Sequence, residues 1–204
     1  MQGKKIYLIR HGQTDYNLHG IVQGSGVDSD LNETGRKQAE LFYKKYHHVP
    51  FKKIYTSTLK RTLQSVEPFL DLGIPVQSFE GLNEINWGKK EGQKVEDSEH
   101  DLYFSMIKKW REGHTHLRPE GGESPDEVLQ RMLPVIDYIE KQIHEDIILV
   151  CMHGRSIRIL LAHLINNDIS KMDDYKHENF GLYILDYNNR HYTIELKNDL
   201  SHLM

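Results

Sequence analysis

Two short apolar runs that each end in a His-Gly pair constrain the fold of this chain more than any other feature. Residues 5–9 are largely apolar and precede Arg10-His11-Gly12, and residues 147–151 precede Met152-His153-Gly154. Runs of this length, bounded by polar residues, predict buried strands. In an open and largely parallel sheet, ligands bind beyond the carboxyl ends of the strands. We therefore expect His11 and His153 at one ligand-binding edge of a sheet.

The rest of the chain alternates strand and helix patterns. We predict strands at residues 53–56 and 76–79, and a hairpin of residues 180–187 and 191–196 that turns at Asn188-Asn189. Helices are predicted from Thr34 or Asn32 to 48, from Ser57 or Thr58 to 72 (stopped by Gly73), and over 95–110, 125–144 and 156–165. The clearest helix start is the capping box Ser124-Pro125-Asp126-Glu127. This order predicts one α/β domain of residues 1–204, with a largely parallel sheet covered by helices on both faces.

Length and charge narrow the classes of function. The chain has 204 residues, the size of one globular domain, and its net charge of −4 argues against a general nucleic-acid binder, which needs a basic face. Its longest apolar stretches are shorter than the ~20 residues of a membrane span, and the apolar run before Arg10 is too short for a secretory signal. The single cysteine, Cys151, fits a reducing compartment. We expect a cytoplasmic protein without nucleic-acid or membrane partners; the patterns do not determine whether it forms a homo-oligomer.

Metal and nucleotide motifs are missing from the sequence. His114-Thr115-His116 has no companion ligand at a zinc-site spacing, and the calcium-like start at Asp28 continues with Glu33 and Ala39 where that loop needs Gly and Glu. Gly24-Ser-Gly26 lacks the third glycine of a dinucleotide loop. We therefore expect no metal and no cofactor.

Five polar residues are candidates for chemistry. Arg10, His11 and His153 lie at the ends of predicted strands, Arg61 lies near the start of a predicted helix, and Glu84 lies in a Gly-flanked loop. Two guanidiniums can grip phosphate oxygens with paired donors, a neutral imidazole is a nucleophile, and a carboxylate can move the proton of a departing or attacking oxygen. Together they would form a phosphoryl-transfer site that needs no metal. On composition alone an alternative stays open, in which the arginines pair with surface carboxylates and the histidines are satisfied core residues.

Several separated motifs resolve that alternative by resemblance. Arg10-His11-Gly12-Gln13-Thr14-Asp15-Tyr16-Asn17 resembles the signature of the histidine phosphatase superfamily, also called phosphoglycerate mutase-like. The resemblance continues through Gln23-Gly24, Leu31-Asn-Glu-Thr-Gly35, Tyr55-Thr-Ser57, Arg61-Thr62, Leu82-Asn-Glu84, Gly121-Gly-Glu-Ser124 and His153-Gly154. It implies a three-layer α/β/α sandwich with a mostly parallel central sheet.

The resemblance also implies a role for each matching residue. His11 would be phosphorylated, Arg10, Arg61 and His153 would surround the phosphoryl group and supply its positive charge, and Glu84 would be the proton donor, starting in its neutral form. Asn17 matches a phosphate-contacting position, and three further residues match positions that line the same pocket: Gln23, Gly24 and Gly154. The implied partner is a small phosphorylated substrate.

The segment after Glu84 separates hydrolases from mutases in this superfamily. Cofactor-dependent mutases resembling this chain carry Tyr where it has Trp87, and a later Arg-Arg pair that holds the far end of a bisphosphate. Between residues 95 and 119 this chain has only Arg111 and Arg118, seven positions apart. We therefore expect a phosphatase of small phosphate monoesters. The alternatives are a cofactor-dependent phosphoglycerate mutase and a binding module with a relic active site.

A basic turn follows the same segment. Lys89 and Lys90 stand where similar hydrolases commonly have an acidic residue and Trp. With Lys94 they would favour a second anionic group on the substrate, or they form a solvated basic turn; the sequence leaves both readings open.

Overall fold

The computed structural model describes residues 3–94 and 97–204, with side chains for all of these except residues 97–103. Six strands form one sheet: β1 (Lys4–Arg10), β2 (Lys53–Thr56), β3 (Val76–Ser78), β4 (Ile147–Met152), β5 (Leu182–Asn188) and β6 (His191–Asp199). Their order is β3-β2-β4-β1-β5-β6. The first four run parallel, and β5 and β6 form the antiparallel hairpin. This confirms the predicted α/β fold with a mostly parallel central sheet.

In the described ranges, six α-helices accompany the sheet: α1 (Asp15–His19), α2 (Glu33–Tyr46), α3 (Lys60–Val66), α4 (Asp97–Arg111), α5 (Pro125–Lys141) and α6 (Gly154–Leu161). Short 3₁₀ segments cover Glu67–Leu72, Glu80–Leu82, Gly88–Lys90, Ile169–Asp174 and Ser201–Leu203, and a π-helical turn covers Ala162–Asn166. The described residues contain no helix that is both long and apolar enough to cross a membrane.

The sheet is buried on both faces at its centre because β4 is apolar at every position. Ile148, Val150 and Met152 of β4 pack into one core with α5 and α6, while Leu149 and Cys151 pack into a second core with α2 and α3. Successive side chains of a strand point to opposite faces, so a continuous apolar run supplies both cores at once. The result is the three-layer arrangement that the resemblance implied.

Helix starts and ends show where local patterns succeeded. The capping box at Ser124 is present, with Ser124 Oγ accepting from the Glu127 N–H and the Glu127 carboxylate accepting from the Ser124 N–H. Asn32, one of the two predicted caps, is the N-cap of α2, and its side chain accepts from the Gly35 N–H. The predicted cap of α3 at Ser57 or Thr58 is wrong, since Leu59 precedes the helix without a side-chain cap. Ser57 Oγ instead accepts from the Leu59 N–H at 3.1 Å and lies 2.7 Å from His153 Nε2.

Other element boundaries differ from the predicted ones by a few residues. The helix predicted to residue 72 is α-helical only to Val66 and then 3₁₀, and the helix predicted from residue 156 already begins at Gly154. The hairpin turns at Asn189 and Arg190, both with positive φ, one position later than predicted. Helix α1, capped reciprocally by Thr14 and Asn17, was not predicted because five residues show no periodicity. The predicted start of α4 at Val95 lies outside the described residues.

The sheet register places the two His-Gly pairs side by side. Arg10 of β1 is paired with Met152 of β4 in the parallel ladder, and the next residues are His11 and His153. The His11 N–H continues the ladder by donating to Met152 O at 3.0 Å. Both histidines therefore leave the sheet at the same carboxyl edge, as the sequence predicted.

Candidate active site

His11 is a buried imidazole whose orientation is fixed by the backbone. Its Nδ1 lies 2.7 Å from Gly12 O. A carbonyl oxygen can only accept, so Nδ1 carries the proton and Nε2 keeps a free lone pair. Burial, followed by the charges of Arg61 and Arg10, holds the pKa of His11 well below its ordinary value. The ring is therefore neutral at neutral pH and has the form that a nucleophile requires.

Arg61 is a fully buried guanidinium from the first turn of α3. Its Nη1 donates to Val27 O at 2.6 Å, its Nη2 to Gly24 O at 3.1 Å, and its Nε to His153 Nδ1 at 3.2 Å. Burial lowers the pKa of Arg61 to about 10, a shift that the Glu84 carboxylate opposes. The group remains charged at neutral pH and gives the pocket a fixed positive charge.

His153 faces His11, with 5.2 Å between the ring centroids. Because its Nδ1 accepts from Arg61, the proton of the neutral ring is on Nε2, which lies 2.7 Å from Ser57 Oγ and donates to it. Burial and then Arg61 keep the pKa of His153 well below its ordinary value. The resemblance implies a positive charge on His153, whereas its ring is neutral here and offers an N–H.

Arg10 is the second guanidinium of the site. Its Nη1 donates to His177 O at 3.3 Å, and its buried Nε makes no hydrogen bond within the described part of the chain. Burial lowers the pKa of Arg10, with the Glu84 charge acting in the opposite direction. A buried guanidinium N–H without an acceptor is costly, so the site is suited to an anion that accepts from it.

Glu84 lies against the N-terminus of α6 and is buried. Its Oε1 accepts from the N–H groups of Ile85 at 2.9 Å and Ser156 at 3.0 Å, and from Ser156 Oγ at 3.0 Å. Its Oε2 accepts from the Arg155 N–H at 3.0 Å. Glu84 thus serves as the missing N-cap of α6, which begins after His153 without a side-chain cap.

The remaining predicted site residues line the same region. Asn17 Oδ1 accepts from Asn179 Nδ2 at 3.1 Å, and Asn179 Nδ2 also donates to His11 O at 3.0 Å. With its amide oriented to satisfy both ends, Gln23 accepts from Arg61 Nη1 at 3.2 Å and donates to Thr14 Oγ1 at 2.8 Å. Gly24 supplies a carbonyl to Arg61.

Two of these positions require glycine because neighbouring atoms approach closely. A Cβ on Gly24 would overlap the Glu91 carboxylate, and it would lie 2.5 Å from Ile85 O. A Cβ on Gly154 would lie 2.7 Å from Cε1 of the His177 ring. Both distances are shorter than real Cβ contacts, so any side chain would displace the walls of the pocket.

Four contributing residues were not singled out from the sequence. Ser57 holds His153, Ser156 holds Glu84, Asn179 holds His11 through its carbonyl, and His177 packs between Gly154 and Arg10. Ser57 lies in the Tyr55-Thr-Ser57 motif, which was the available signal. The others lie in segments whose approach to the site depends on the tertiary fold.

Lys89 and Lys90 of the basic turn lie in the 3₁₀ segment Gly88–Lys90. Lys89 pairs with Glu120 at 2.5 Å, and both side chains are largely exposed, which fits the solvated-turn reading for that residue. Within residues 3–94 and 97–204, no three side chains of His, Cys, Asp or Glu are grouped in a way that could hold a metal ion.

The fold and the grouped side chains define a class: an α/β protein whose sheet edge carries an anion site built around a neutral histidine. Comparison with known families identifies the family within this class to which the chain belongs. The chain belongs to the histidine phosphatase superfamily (branch 1), whose family model matches residues 6–200. The resemblance seen in the sequence motifs is thereby confirmed.

Individual relatives agree with this assignment. A Schizosaccharomyces pombe protein named as a probable phosphatase is 32% identical over 176 residues, which is 85% of this chain and 79% of that protein. A 2,3-bisphosphoglycerate-dependent phosphoglycerate mutase from Cytophaga hutchinsonii is 31% identical over 170 residues, covering 78% and 76%. The crystal structure of the α-ribazole phosphatase from Shigella flexneri superposes with a TM-score of 0.85 at 25% identity, covering 96% of each chain. The chain spans only about a third of the bifunctional 6-phosphofructo-2-kinase/fructose-2,6-bisphosphatases that it also matches.

Proposed function

We propose that this protein hydrolyses small phosphate monoesters through a phosphohistidine on His11, without a metal ion. The observation that carries the proposal is the hydrogen bond from His11 Nδ1 to Gly12 O, which leaves Nε2 unprotonated beside two buried guanidiniums. Attack by Nε2 on phosphorus would expel the alcohol and leave the phosphoryl group on nitrogen. Water would then displace the phosphoryl group and restore His11.

The two guanidiniums would stabilise the transition state of both steps. Negative charge spreads over the equatorial oxygens of the phosphoryl group as it passes between its two partners. Arg10 and Arg61 are held in place before substrate binds, so they need little reorganisation when that charge develops. The Nε2–H of His153 would add a neutral donor by exchanging its Ser57 partner for a phosphoryl oxygen.

Glu84 would transfer the proton in each step. In its protonated form it donates to the departing alkoxide oxygen, and as a carboxylate it then removes a proton from the attacking water. Its contacts with the α6 N–H groups hold the carboxyl group in place.

The arginines of the 95–119 segment support hydrolysis rather than mutase chemistry. Arg118 Nη1 donates to Glu127 Oε1 at 2.9 Å, and Arg111 Nη2 lies 4.0 Å from Asp173 Oδ2. They face different carboxylates of this chain and do not form a pair that could hold the far end of a bisphosphate. A mutase needs such a pair to hold its bisphosphate intermediate while the intermediate reorients in the site.

A paired assay with 3-phosphoglycerate and a panel of phosphate monoesters tests the proposal. We expect catalytic release of inorganic phosphate from some monoesters, and no efficient formation of 2-phosphoglycerate in an enolase-coupled assay, with or without 2,3-bisphosphoglycerate. His11→Ala is the matched control and should abolish the release. Efficient bisphosphate-dependent isomerisation with little hydrolysis would make the protein a mutase, and no turnover of any kind would favour a binding module.

A further inference from the structure

A second charged cluster, which the proposed mechanism does not use, is centred on Asp173 in the 3₁₀ segment Ile169–Asp174. Asp173 Oδ1 accepts from Arg155 Nη1 and from Arg158 Nη1, both at 2.7 Å. The side chains of Asp173 and Arg155 are only 6% and 7% exposed. We call Asp173, Arg155 and Arg158 the Asp173 cluster.

The Asp173 cluster touches the active site at two points. The backbone N–H of Arg155 donates to Glu84 Oε2, the proposed proton donor, at 3.0 Å. Arg158 Nε donates to His177 Nε2 at 2.6 Å, and the His177 ring lies 3.5 Å from Arg10 Nη1. The cluster therefore borders both the phosphate-binding arginine and the group that protonates the leaving oxygen.

The Arg155 side chain of the cluster lies beside the loop that carries Glu84. The Arg155 guanidinium lies 5.5 Å from the ring centroid of Trp110 and 6.0 Å from that of Trp87, which follows Glu84 in the same loop. Because Glu84 protonates the leaving oxygen, the alcohol part of a substrate must pass close to these residues. Charges in the Asp173 cluster are thus placed to affect which alcohols are accepted.

Asp173 acts as a built-in anion for these arginines. Burial alone would raise the pKa of Asp173, but Arg155 and Arg158 outweigh it and hold the pKa below its ordinary value, so the carboxylate stays ionised. A carboxylate fixed by the fold has a high effective concentration at its partners. An anionic group on a substrate would have to displace Asp173, or bind beside a like charge.

We propose that Asp173 is a specificity-determining residue that occupies Arg155 and Arg158 and so disfavours substrates whose leaving group carries a second anionic group. The inference rests on the proposed phosphatase function for its site, and it adds the substrate class: monoesters with an uncharged alcohol part. Specificity of this kind comes from a repulsive element built against the competing ligand.

The test compares Asp173→Asn, which keeps the size of the side chain but removes its charge, with the matched control Asp174→Asn in the next, exposed position. The substrates are phenyl phosphate and 4-carboxyphenyl phosphate. We expect the ratio of kcat/KM for the carboxylated over the plain ester to rise at least about fivefold in Asp173→Asn, and to change less than about twofold in Asp174→Asn. The same ratio of kcat/KM values in the wild type, Asp173→Asn and Asp174→Asn would overturn the proposal.

Equilibrium binding separates this inference from the proposed function. Calorimetry with 4-phosphonobutyrate and butylphosphonate needs no turnover. The wild type should gain no affinity from the carboxylate, whereas Asp173→Asn should favour 4-phosphonobutyrate. If the two proteins bind in this way but the wild type hydrolyses no phosphate monoester, the proposed phosphatase function is refuted and the role of Asp173 stands. If Asp173→Asn does not fold, the wild-type protein is measured alone. Binding of 4-phosphonobutyrate to the wild type about tenfold more tightly than butylphosphonate would refute the proposal.

Discussion

Glu84 Oε1 accepts hydrogen bonds from both the backbone N–H and the hydroxyl group of Ser156, each at 3.0 Å. The two residues are 72 positions apart in the chain, and Ser156 is fully buried in the first turn of α6. One serine therefore fixes an oxygen of the proposed acid with two donors. Proton transfer requires this carboxyl group to exchange part of that anchoring for a bond to the substrate.

Replacing Glu84 by Gln should slow turnover according to the leaving group. Positioned proton transfer contributes about 10²- to 10⁴-fold, so we expect a loss in this range for an alkyl phosphate, whose alkoxide needs a proton to depart. Phosphorylation by p-nitrophenyl phosphate should be much less affected, because p-nitrophenolate leaves unprotonated. Burst kinetics measures the phosphorylation step; an equal loss for both substrates would indicate that Glu84 only positions the site.

His11 should carry a transient phosphoryl group bound through nitrogen. Rapid quenching with ³²P-labelled substrate should trap an adduct that is labile in acid and stable in alkali, as expected of a phosphoramidate. His11→Ala should lose the adduct together with at least about 10³-fold in kcat, because the nucleophile is gone. Asn179→Ala removes the contacts of Asn179 to the His11 carbonyl and to Asn17 Oδ1 but leaves the His11 ring in place; it is the comparison variant and should still form the adduct. Label retained by His11→Ala would show that another residue is the nucleophile.

Turnover should survive removal of divalent ions. Arg10 and Arg61 provide two fixed positive charges at the site, so the developing phosphoryl charge has partners that a chelator does not remove. We expect unchanged kcat after dialysis against EDTA, with the metal content checked by mass spectrometry. Activity that is lost on chelation and restored by magnesium or zinc would contradict the metal-independent mechanism.

His202 should make the protein less stable as pH falls from about 6.5 to about 4. Its ring packs edge-on against Phe42 with 5.1 Å between centroids. Burial lowers the pKa of His202 to about 4, an effect that Asp199 opposes and Lys45 reinforces. The folded state thus holds the neutral ring, and the unfolded chain takes up the proton first. The stabilisation present above pH 6.5 is lost through this window, by on the order of 1–3 kcal/mol.

The comparison with His202→Phe isolates this effect from the other buried histidines. Phe fits among the aromatic neighbours and cannot titrate, so urea unfolding should give a smaller decrease in the free energy of unfolding between pH 7 and pH 5 than in the wild type. Identical pH slopes in the two proteins would show that His202 does not titrate differently in the folded and unfolded states.

Much of the framework was determined by the sequence itself. Continuous apolar runs identify the central strands, the Ser124 box identifies the start of α5, and His-Gly pairs after two parallel strands place His11 and His153 at one edge. These signals are local, or they depend on strand direction alone. For the same reason the motif set was sufficient to recognise the superfamily, which the match over residues 6–200 confirms.

Only the tertiary structure decided how the site residues are held and charged. The protonation of His153 follows from Arg61, 92 positions away. Ser57 Oγ bonds to His153 across 96 positions as well as to the nearby Leu59 N–H, and it does not cap α3. Glu84 caps a helix 71 positions further along the chain, and Asp173 pairs with two arginines next to the candidate active site. Burial, tautomer and ion pairing depend on which side chains the fold brings within hydrogen-bond distance. Local sequence patterns do not contain that information, because the partners lie in distant segments of the chain.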